Sequence, residues 1–304
     1  MRRRIEALAF EATLAAAGVL PRRAMLGLGV LAGDAGYLLD RRHRRIALDN
    51  LRHAYGDNLH PAQARRLLRD CWRHFGRISL DTIACSRYGH GRLRALVRIE
   101  GLEHVRNAYA TGRGALVFSA HFGHWELTAL MQGYEGLPLA LVTRPLDNPH
   151  LERALARVRG RSGNRIVHKR NAVREILRAL REGLGVAIVI DKDARRDGVF
   201  VPFFGRPAST TRTLALVARR TGADVIPTFS YPAPDGTYTI VYEPPVPFSV
   251  SDDREADVRR LTERCTAIIE TRVRERPELW LWMHRRWKTR PPVADTLRPP
   301  EAPR

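Results

Sequence analysis

Short apolar runs alternate with helical patterns along most of this chain. Runs typical of buried strands lie at 115–119, 138–142, 165–168, 185–191, 224–229 and 239–243. Helices are predicted near 126–133, 147–160, 170–182, 209–221 and 253–275. Strands that alternate with helices indicate a parallel or mixed sheet covered by helices. We therefore expect an α/β fold with a mixed, largely parallel central sheet flanked by helices.

The first 95 residues have a different pattern of apolar and polar residues, which predicts a helical N-terminal region. Apolar Ile46, Leu48 and Leu51 lie among basic residues, and a further helix is predicted to start after Pro61. We expect three parts: a helical region at 1–95, an α/β domain at 96–290, and a Pro-rich, disordered tail at 291–304.

Two apolar stretches near the N-terminus, "ATLAAAGVLP" and "AMLGLGVLAG", are each too short to span a bilayer, which takes about 18–20 residues. Arg22 and Arg23 separate them, and no signal-peptide pattern is evident. Two interpretations stay open. The stretches can lie in a membrane interface, or they can form a helical hairpin packed on the domain.

The chain is strongly basic, with 52 Lys and Arg residues against 32 Asp and Glu and a net charge of +20. Such a charge favours nucleic acid, an anionic membrane face or a phosphorylated substrate, although a genomic bias toward Arg would also produce it. No zinc-finger spacing or RNP-type aromatic signature is present, so nucleic acid is not the expected partner. The three cysteines are far apart and form no metal-ligand pattern, so neither a metal nor a cofactor is expected.

The stretch "HFGHWE" follows directly on the apolar run at 115–119. His121 and Glu126 are five residues apart, so they cannot share a helix face, and they meet only if His121 precedes the helix. Gly123 permits the turn this requires, and His124 is then the residue that starts the helix. His121 would act as a general base at the carboxyl end of a strand, with Glu126 fixing its tautomer. From spacing alone, the alternative is a histidine satisfied by local backbone.

This pattern is similar to the H-x4-D/E signature of the glycerolipid acyltransferase superfamily. Three further stretches, "VTRPLDNPHLE", "DGVFVPFFGRPASTT" and "PELWLWMHRRWKTRP", resemble the bacterial late lipid A acyltransferase family, the lauroyl and myristoyl transferases. Phosphatidylinositol mannoside acyltransferases are relatives with similar signatures. The resemblance covers nearly the whole chain.

The resemblance implies transfer of an acyl chain from a carrier thioester to a hydroxyl of a membrane lipid. The donor would be acyl carrier protein or coenzyme A, and the acceptor an anionic glycolipid such as a lipid A precursor. A phosphatidylinositol mannoside or another lysolipid is the alternative acceptor. The implied location is the cytoplasmic face of the inner membrane, held peripherally or by an N-terminal anchor. A basic nucleic-acid-binding protein is the alternative from another class, and the oligomeric state is not set by the sequence.

Two residues at strand ends are candidate substrate contacts. Arg144 follows the second apolar run and can hold a phosphate or stabilise an oxyanion, or instead pair with Asp147 at a helix start. Asp191 ends the most apolar run, where the resemblance implies an acidic residue that can contact the histidine or the substrate, with loop capping as the alternative.

The remaining candidates lie in two later stretches. "ASTTRT" is expected to begin a helix, where Thr211 and Arg212 can receive an anion or the hydroxyls simply cap the helix. "VFVPFFG" is expected to be too broken for a core strand, and either lines an acyl groove or forms a buried loop. In "LWLWMHRRWK", Arg285 is a candidate substrate contact, and the tryptophans suit either a membrane interface or packing onto the sheet.

Overall fold

A computed structural model describes residues 19–145, 148–168 and 172–292 of the chain. The helices in these ranges are α1 (Arg22–Leu39), α2 (Arg41–Tyr55), α3 (Pro61–Cys85), α4 (His90–Arg94), α5 (Leu102–Ala110), α6 (Trp125–Tyr134), α7 (Pro149–Gly160), α8 (Ala172–Arg181), α9 (Thr213–Thr221) and α10 (Arg254–Glu275). The strands are β1 (Val97–Glu100), β2 (Ala115–Ser119), β3 (Leu139–Thr143), β4 (Arg165–His168), β5 (Gly185–Val189), β6 (Gly198–Phe203), β7 (Arg206–Thr211), β8 (Asp224–Pro232) and β9 (Tyr238–Tyr242).

Seven of these strands form one sheet in the order β1-β9-β8-β2-β5-β3-β4. Every neighbouring pair is parallel except β8 and β9. The helical patterns between the runs supply the crossovers that parallel pairing requires. The predicted mixed, largely parallel sheet flanked by helices is thus confirmed.

Strand β2 is the centre of the sheet and faces a core on each side. Its side chains alternate between the two faces because the strand repeat is two residues. Leu116 and Phe118 join the cluster that includes residues of α8, α9 and α10. Ala115 and Val117 join the cluster that includes residues of α5 and α6. A strand covered on both faces has no polar side, which explains its uninterrupted apolar run.

The N-terminal helices pack closely through glycines, and the predicted helical character of this region is confirmed for residues 19–94. A Cβ added to Gly29 would lie 2.6 Å from the backbone of Arg77, and one added to Gly76 would lie 2.2 Å from the carbonyl oxygen of Gly29. Helix α1 is also tied to α3 by a bidentate pair between Arg22 and the buried carboxylate of Asp81. Helix α3 begins at Pro61, as predicted.

The structure corrects two expectations for residues 198–211. "VFVPFFG" is not a broken loop, because Gly198–Phe203 pairs antiparallel with Arg206–Thr211 as an isolated hairpin. A two-stranded hairpin is all edge, so Pro202 and Pro207 are tolerated opposite each other. The "ASTT" residues therefore end a strand, and helix α9 begins only at Thr213.

Apolar side chains of α1 remain exposed. Leu28, Leu31, Leu38 and Leu39 are 42–81% exposed, next to the basic start of α2. Among the described residues, no helix is both long and apolar enough to cross a bilayer. The predictions for residues 1–18 and for the tail from 293 lie outside the described residues.

Candidate active site

His121 lies in a short loop between β2 and α6, at the carboxyl end of the central strand. We call residues 120–124 the His121 loop. The loop turns at Gly123, whose φ is +59°, and a Cβ there would come within 1.9 Å of the carbonyl oxygen of Ser230. Glycine is therefore required both for the backbone conformation and for the close approach. The predicted placement of His121 outside the helix is confirmed.

Asp191 is the carboxylate that contacts His121. The Nδ1–H of His121 donates to Oδ1 of Asp191 at 2.7 Å, and the His121 main-chain N–H donates to Oδ2 at 2.8 Å. Asp191 follows β5, the parallel neighbour of β2, so the two residues meet where adjacent strands end. Asp191 is 2% exposed.

A segment near the C-terminus closes over this pair, and we call residues 277–289 the C-terminal segment. The indole N–H of Trp280 donates to Oδ2 of Asp191 at 2.8 Å. The main-chain N–H of Leu281 donates to the carbonyl of His121 at 3.0 Å, and that of Gly123 donates to Leu279 at 3.0 Å. The His121 loop is thus fixed from the sheet on one side and from this segment on the other.

The electrostatics of the pair keep Asp191 ionised. Burial alone would raise the pKa of Asp191, but contact with His121 and the hydrogen bonds it accepts hold that pKa well below its usual range. A charged carboxylate on Nδ1 fixes the tautomer in which that nitrogen carries the proton. Nε2 is then the basic nitrogen of a side chain that is 16% exposed. The arrangement suits His121 to accept a proton.

Glu126 does not make the contact that the sequence predicts for it. Both of its oxygens accept hydrogen bonds from the guanidinium of Arg159 on α7, at 2.5 and 2.9 Å. The orienting contact to His121 comes from Asp191 instead. Glu126 lies in the first turn of α6. That Glu126 contributes to catalysis stays a prediction.

His124 starts helix α6, as predicted. Its Nδ1 accepts a hydrogen bond from the main-chain N–H of Leu127 at 3.3 Å, and its own main-chain N–H donates to the hydroxyl of Ser230 at 2.6 Å. The ring is fully buried, and burial lowers its pKa. These contacts make His124 a structural residue of the loop.

In the part of the chain that the structure describes, no contact is seen between His121 and Thr211, Arg212 or Arg285. Arg144 is exposed directly after β3, and its alternative partner Asp147 lies outside the described residues. Thr211 ends β7, with its hydroxyl on that of Thr213. Arg212 pairs with Glu255 of α10, and Arg285 is exposed. Substrate contacts by Arg144, Thr211, Arg212 and Arg285 stay predictions.

The tryptophans of the C-terminal segment pack rather than face a membrane. Trp280 and Trp282 are completely buried, and their rings meet edge to face at 4.7 Å. The membrane-interface interpretation is therefore wrong for these two residues. Sequence reasoning missed Trp280, His284 and Arg159 as neighbours of the site, although the first two lie in a stretch that the motif analysis singled out.

The described residues hold no cluster of three or more His, Cys, Asp or Glu side chains suited to a metal ion. The cysteines are buried and unpaired. Burial raises the pKa of the Cys71 thiol to about 12, and it likewise raises those of Cys85 and Cys265 above their usual value. A buried thiol of this kind is not a reactive nucleophile.

Comparison with known proteins identifies the family. The model of the bacterial lipid A biosynthesis acyltransferase family matches residues 3–289. The chain belongs to this family. It is therefore an acyltransferase, and the resemblance read from the motifs is confirmed.

Individual relatives of this acyltransferase agree. The Escherichia coli (strain K12) lipid A biosynthesis palmitoleoyltransferase is 29% identical over 276 residues, covering 90% of this chain and 87% of the relative. The lauroyltransferase of the same organism is 29% identical over 278 residues, covering 90% and 88%. A phosphatidylinositol mannoside acyltransferase of Mycolicibacterium smegmatis is 26% identical over 227 residues, covering 73% and 72%.

Proposed function

We propose that this acyltransferase moves a fatty acyl chain from a carrier thioester to a hydroxyl of a lipid A precursor. The observation that carries the proposal is the hydrogen bond between His121 and buried Asp191 at the ends of two adjacent parallel strands. The donor is the thioester of acyl carrier protein or of coenzyme A. The names of the relatives support a lipid A precursor as the acceptor.

The reaction proceeds by direct attack of the acceptor on the donor. Nε2 of His121 takes the proton of the acceptor hydroxyl as its oxygen attacks the thioester carbonyl carbon. Asp191 stabilises the imidazolium that forms. Collapse of the tetrahedral intermediate breaks the carbon–sulfur bond, and the imidazolium returns its proton to the departing thiolate. The products are the acylated lipid and a free thiol.

Among the residues that the structure describes, the serine and cysteines considered for a covalent acyl-enzyme are poorly suited as nucleophiles. The nearest serine in sequence, Ser119, is buried and its hydroxyl donates to the carbonyl of Thr228 at 2.7 Å. The cysteines are buried with raised pKa values. We therefore assign the reaction to a single displacement without an acyl-enzyme.

The surface supports work on an anionic membrane. The exposed leucines of α1 adjoin exposed Arg41, Arg42 and Arg45 of α2, a combination that suits the interface of an anionic leaflet. The net charge of +20 favours both anionic lipid and an acidic carrier protein. We place the protein at the cytoplasmic face of the inner membrane, held peripherally or by an N-terminal anchor.

A second acceptor class has a specific basis. The relative from Mycolicibacterium smegmatis is named for phosphatidylinositol mannoside, which presents a sugar hydroxyl on an anionic lipid. The same base and donor would serve that acceptor without change.

One assay separates these acceptors. Purified protein is incubated with acyl-carrier-protein and coenzyme A thioesters and with either a lipid A precursor or a phosphatidylinositol mannoside, and products are read by mass spectrometry. We expect acylation of the lipid A precursor, abolished in His121→Ala and retained in the exposed control His168→Ala. Normal turnover by His121→Ala would overturn the assignment of the base. Transfer to neither acceptor would favour the nucleic-acid alternative, which mobility shifts with a salt titration would then test.

A further inference from the structure

His284 contacts the main chain of Asp191 through one nitrogen and its own segment through the other. Its Nε2 lies 2.9 Å from the carbonyl oxygen of Asp191, and its Nδ1 lies 2.8 Å from the carbonyl oxygen of Leu281. Both partners are carbonyl oxygens, which accept hydrogen bonds and cannot donate them.

A neutral imidazole cannot satisfy this geometry. It carries one N–H, so its other nitrogen would direct a lone pair at a carbonyl oxygen within 3 Å. An imidazolium carries two N–H groups and donates to both carbonyls. Two charge-assisted hydrogen bonds of normal length are the arrangement that the positions of Asp191 and Leu281 provide.

Burial disfavours the charged form of the His284 ring, and the neighbouring groups act on its pKa in both directions. Burial lowers the pKa of His284, and the positive charges of Arg286 and of a protonated His121 act in the same direction. The carboxylate of Asp191 and the carbonyl of Leu281 raise it. The two carbonyl contacts favour the charged ring, since deprotonation would turn one of them into a repulsion between lone pairs.

The ring is held in this position by its neighbours. The side-chain amide of Asn50 on α2 donates to the carbonyls of Trp282 and His284, at 2.7 and 2.5 Å. The ring of Trp280 meets that of His284 edge to face at 5.2 Å. A turn of His284 away from Asp191 would break up this packing, so relief of the repulsion by movement is costly.

We propose that His284 is an imidazolium in the resting enzyme and acts as the positioning residue of Asp191. It fixes the main chain of Asp191 while Trp280 fixes the carboxylate, and its charge balances that carboxylate. A fixed cation beside the pair makes a second positive charge on His121 less favourable. This inference rests on the proposed role of His121 as base.

The charge on His284 is tested first by NMR on the wild-type protein. Protein labelled with ¹⁵N-histidine is examined at pH 7.5, and the ring of His284 is assigned through bonds to its own backbone amide. We expect both ring nitrogens to carry protons. One bare nitrogen would overturn the proposal. This measurement needs no turnover and no variant, so it stands even if the proposed acyl transfer is wrong.

The positioning role is tested by a matched pair of variants. His284→Gln removes the charge, and His284→Lys keeps it while losing the two-sided contact. We expect kcat to fall at least about tenfold in both, with KM little changed. In His284→Gln the acid limb of the kcat/KM profile should move up by about one pH unit, because a fixed positive charge beside the His121–Asp191 pair is lost. In His284→Lys the acid limb should stay near its wild-type pH.

An acid limb at the same pH in both variants would contradict the charge effect. An unchanged kcat in His284→Gln would contradict the positioning role. His168→Gln on the exposed edge strand β4 is the control and should alter neither. Thermal melting of each variant confirms folding, and if both fail to fold, the NMR measurement on the wild type decides.

Discussion

Replacement of Asp191 by Asn tests the orientation of the base without changing the size of the side chain. In the structure Oδ2 of Asp191 accepts two hydrogen bonds, from the main chain of His121 and the indole of Trp280, and Oδ1 accepts one from Nδ1 of His121. The single oxygen of an Asn amide will take the position that faces two donors. Its NH₂ then faces Nδ1 of His121.

An N–H donor on Nδ1 reverses the tautomer of His121. Nδ1 must then accept, so the proton moves to Nε2, the nitrogen that takes the proton of the acceptor hydroxyl. The equivalent change in Ser-His-Asp hydrolases costs about 10⁴ in kcat. We expect Asp191→Asn to lower kcat by about 10³–10⁴-fold, which corresponds to about 4–5 kcal/mol in the barrier.

The measurement is turnover at saturating donor and acceptor, followed by mass spectrometry of the acylated lipid. Asp197→Asn is the matched control, because Asp197 is an exposed carboxylate in the same loop after β5. It should retain activity within about twofold. A folded Asp191→Asn variant with turnover within about tenfold of wild type would refute the tautomer argument.

Three further predictions concern Gly123 in the His121 loop, the Glu126–Arg159 pair, and Asp34 in the N-terminal helices. Gly123→Ala should abolish activity and destabilise the fold by more than the ~1–2 kcal/mol of positive-φ strain alone, because the added Cβ meets backbone at 1.9 Å. Glu126→Gln and Arg159→Met should each lower the free energy of unfolding, because either change leaves one partner of the pair alone. In urea unfolding, the loss in the double variant should be smaller than the sum of the two single losses by about 1–2 kcal/mol. Two arginines of α3 hold the pKa of Asp34 at about 2, below its unfolded value of about 3.9. Asp34 therefore stabilises the protein above about pH 4, and the difference in Tm between wild type and Asp34→Asn should vanish as pH falls through about 2.

Each of these has a control and a contrary result. Gly136→Ala has the same sign of φ but open space around its Cβ, so it should cost the strain alone. Equal losses in the two glycine variants would contradict the clash. Strict additivity of Glu126→Gln and Arg159→Met would mean that their ion pair contributes nothing. A Tm difference for Asp34→Asn that persists at pH 2 would show that the carboxylate acts other than by its charge.

The sheet was largely predictable because strands buried on both faces leave a strong signal. The runs at 115–119 and 165–168 coincide with β2 and β4 residue for residue. Strand β1 was not predicted, since "VRIE" alternates with charged residues at the edge of the sheet and has no continuous apolar run. The β6–β7 hairpin was missed because its prolines are unfavourable in a central strand but acceptable at an edge.

The position of His121 outside the helix could be predicted from the sequence, but its hydrogen-bond partner could not. Glu126 is close to His121 in sequence, so a local pattern favours it. Asp191 is 70 residues away and reaches His121 only because β5 lies beside β2, and strand order is a property of the whole sheet. The resemblance to the acyltransferase family made Asp191 a candidate contact of the histidine, without choosing between the two carboxylates.

The contacts of the C-terminal segment with the His121 loop have a consequence during translation. The ribosome makes His121 and Asp191 long before Trp280 and His284, so a nascent chain can form most of the sheet while its imidazole and carboxylate still lack their later contacts. Chains that stop before residue 280 would then be folded in large part and unable to turn over substrate. Competence to acylate would then arise only in the last steps of synthesis.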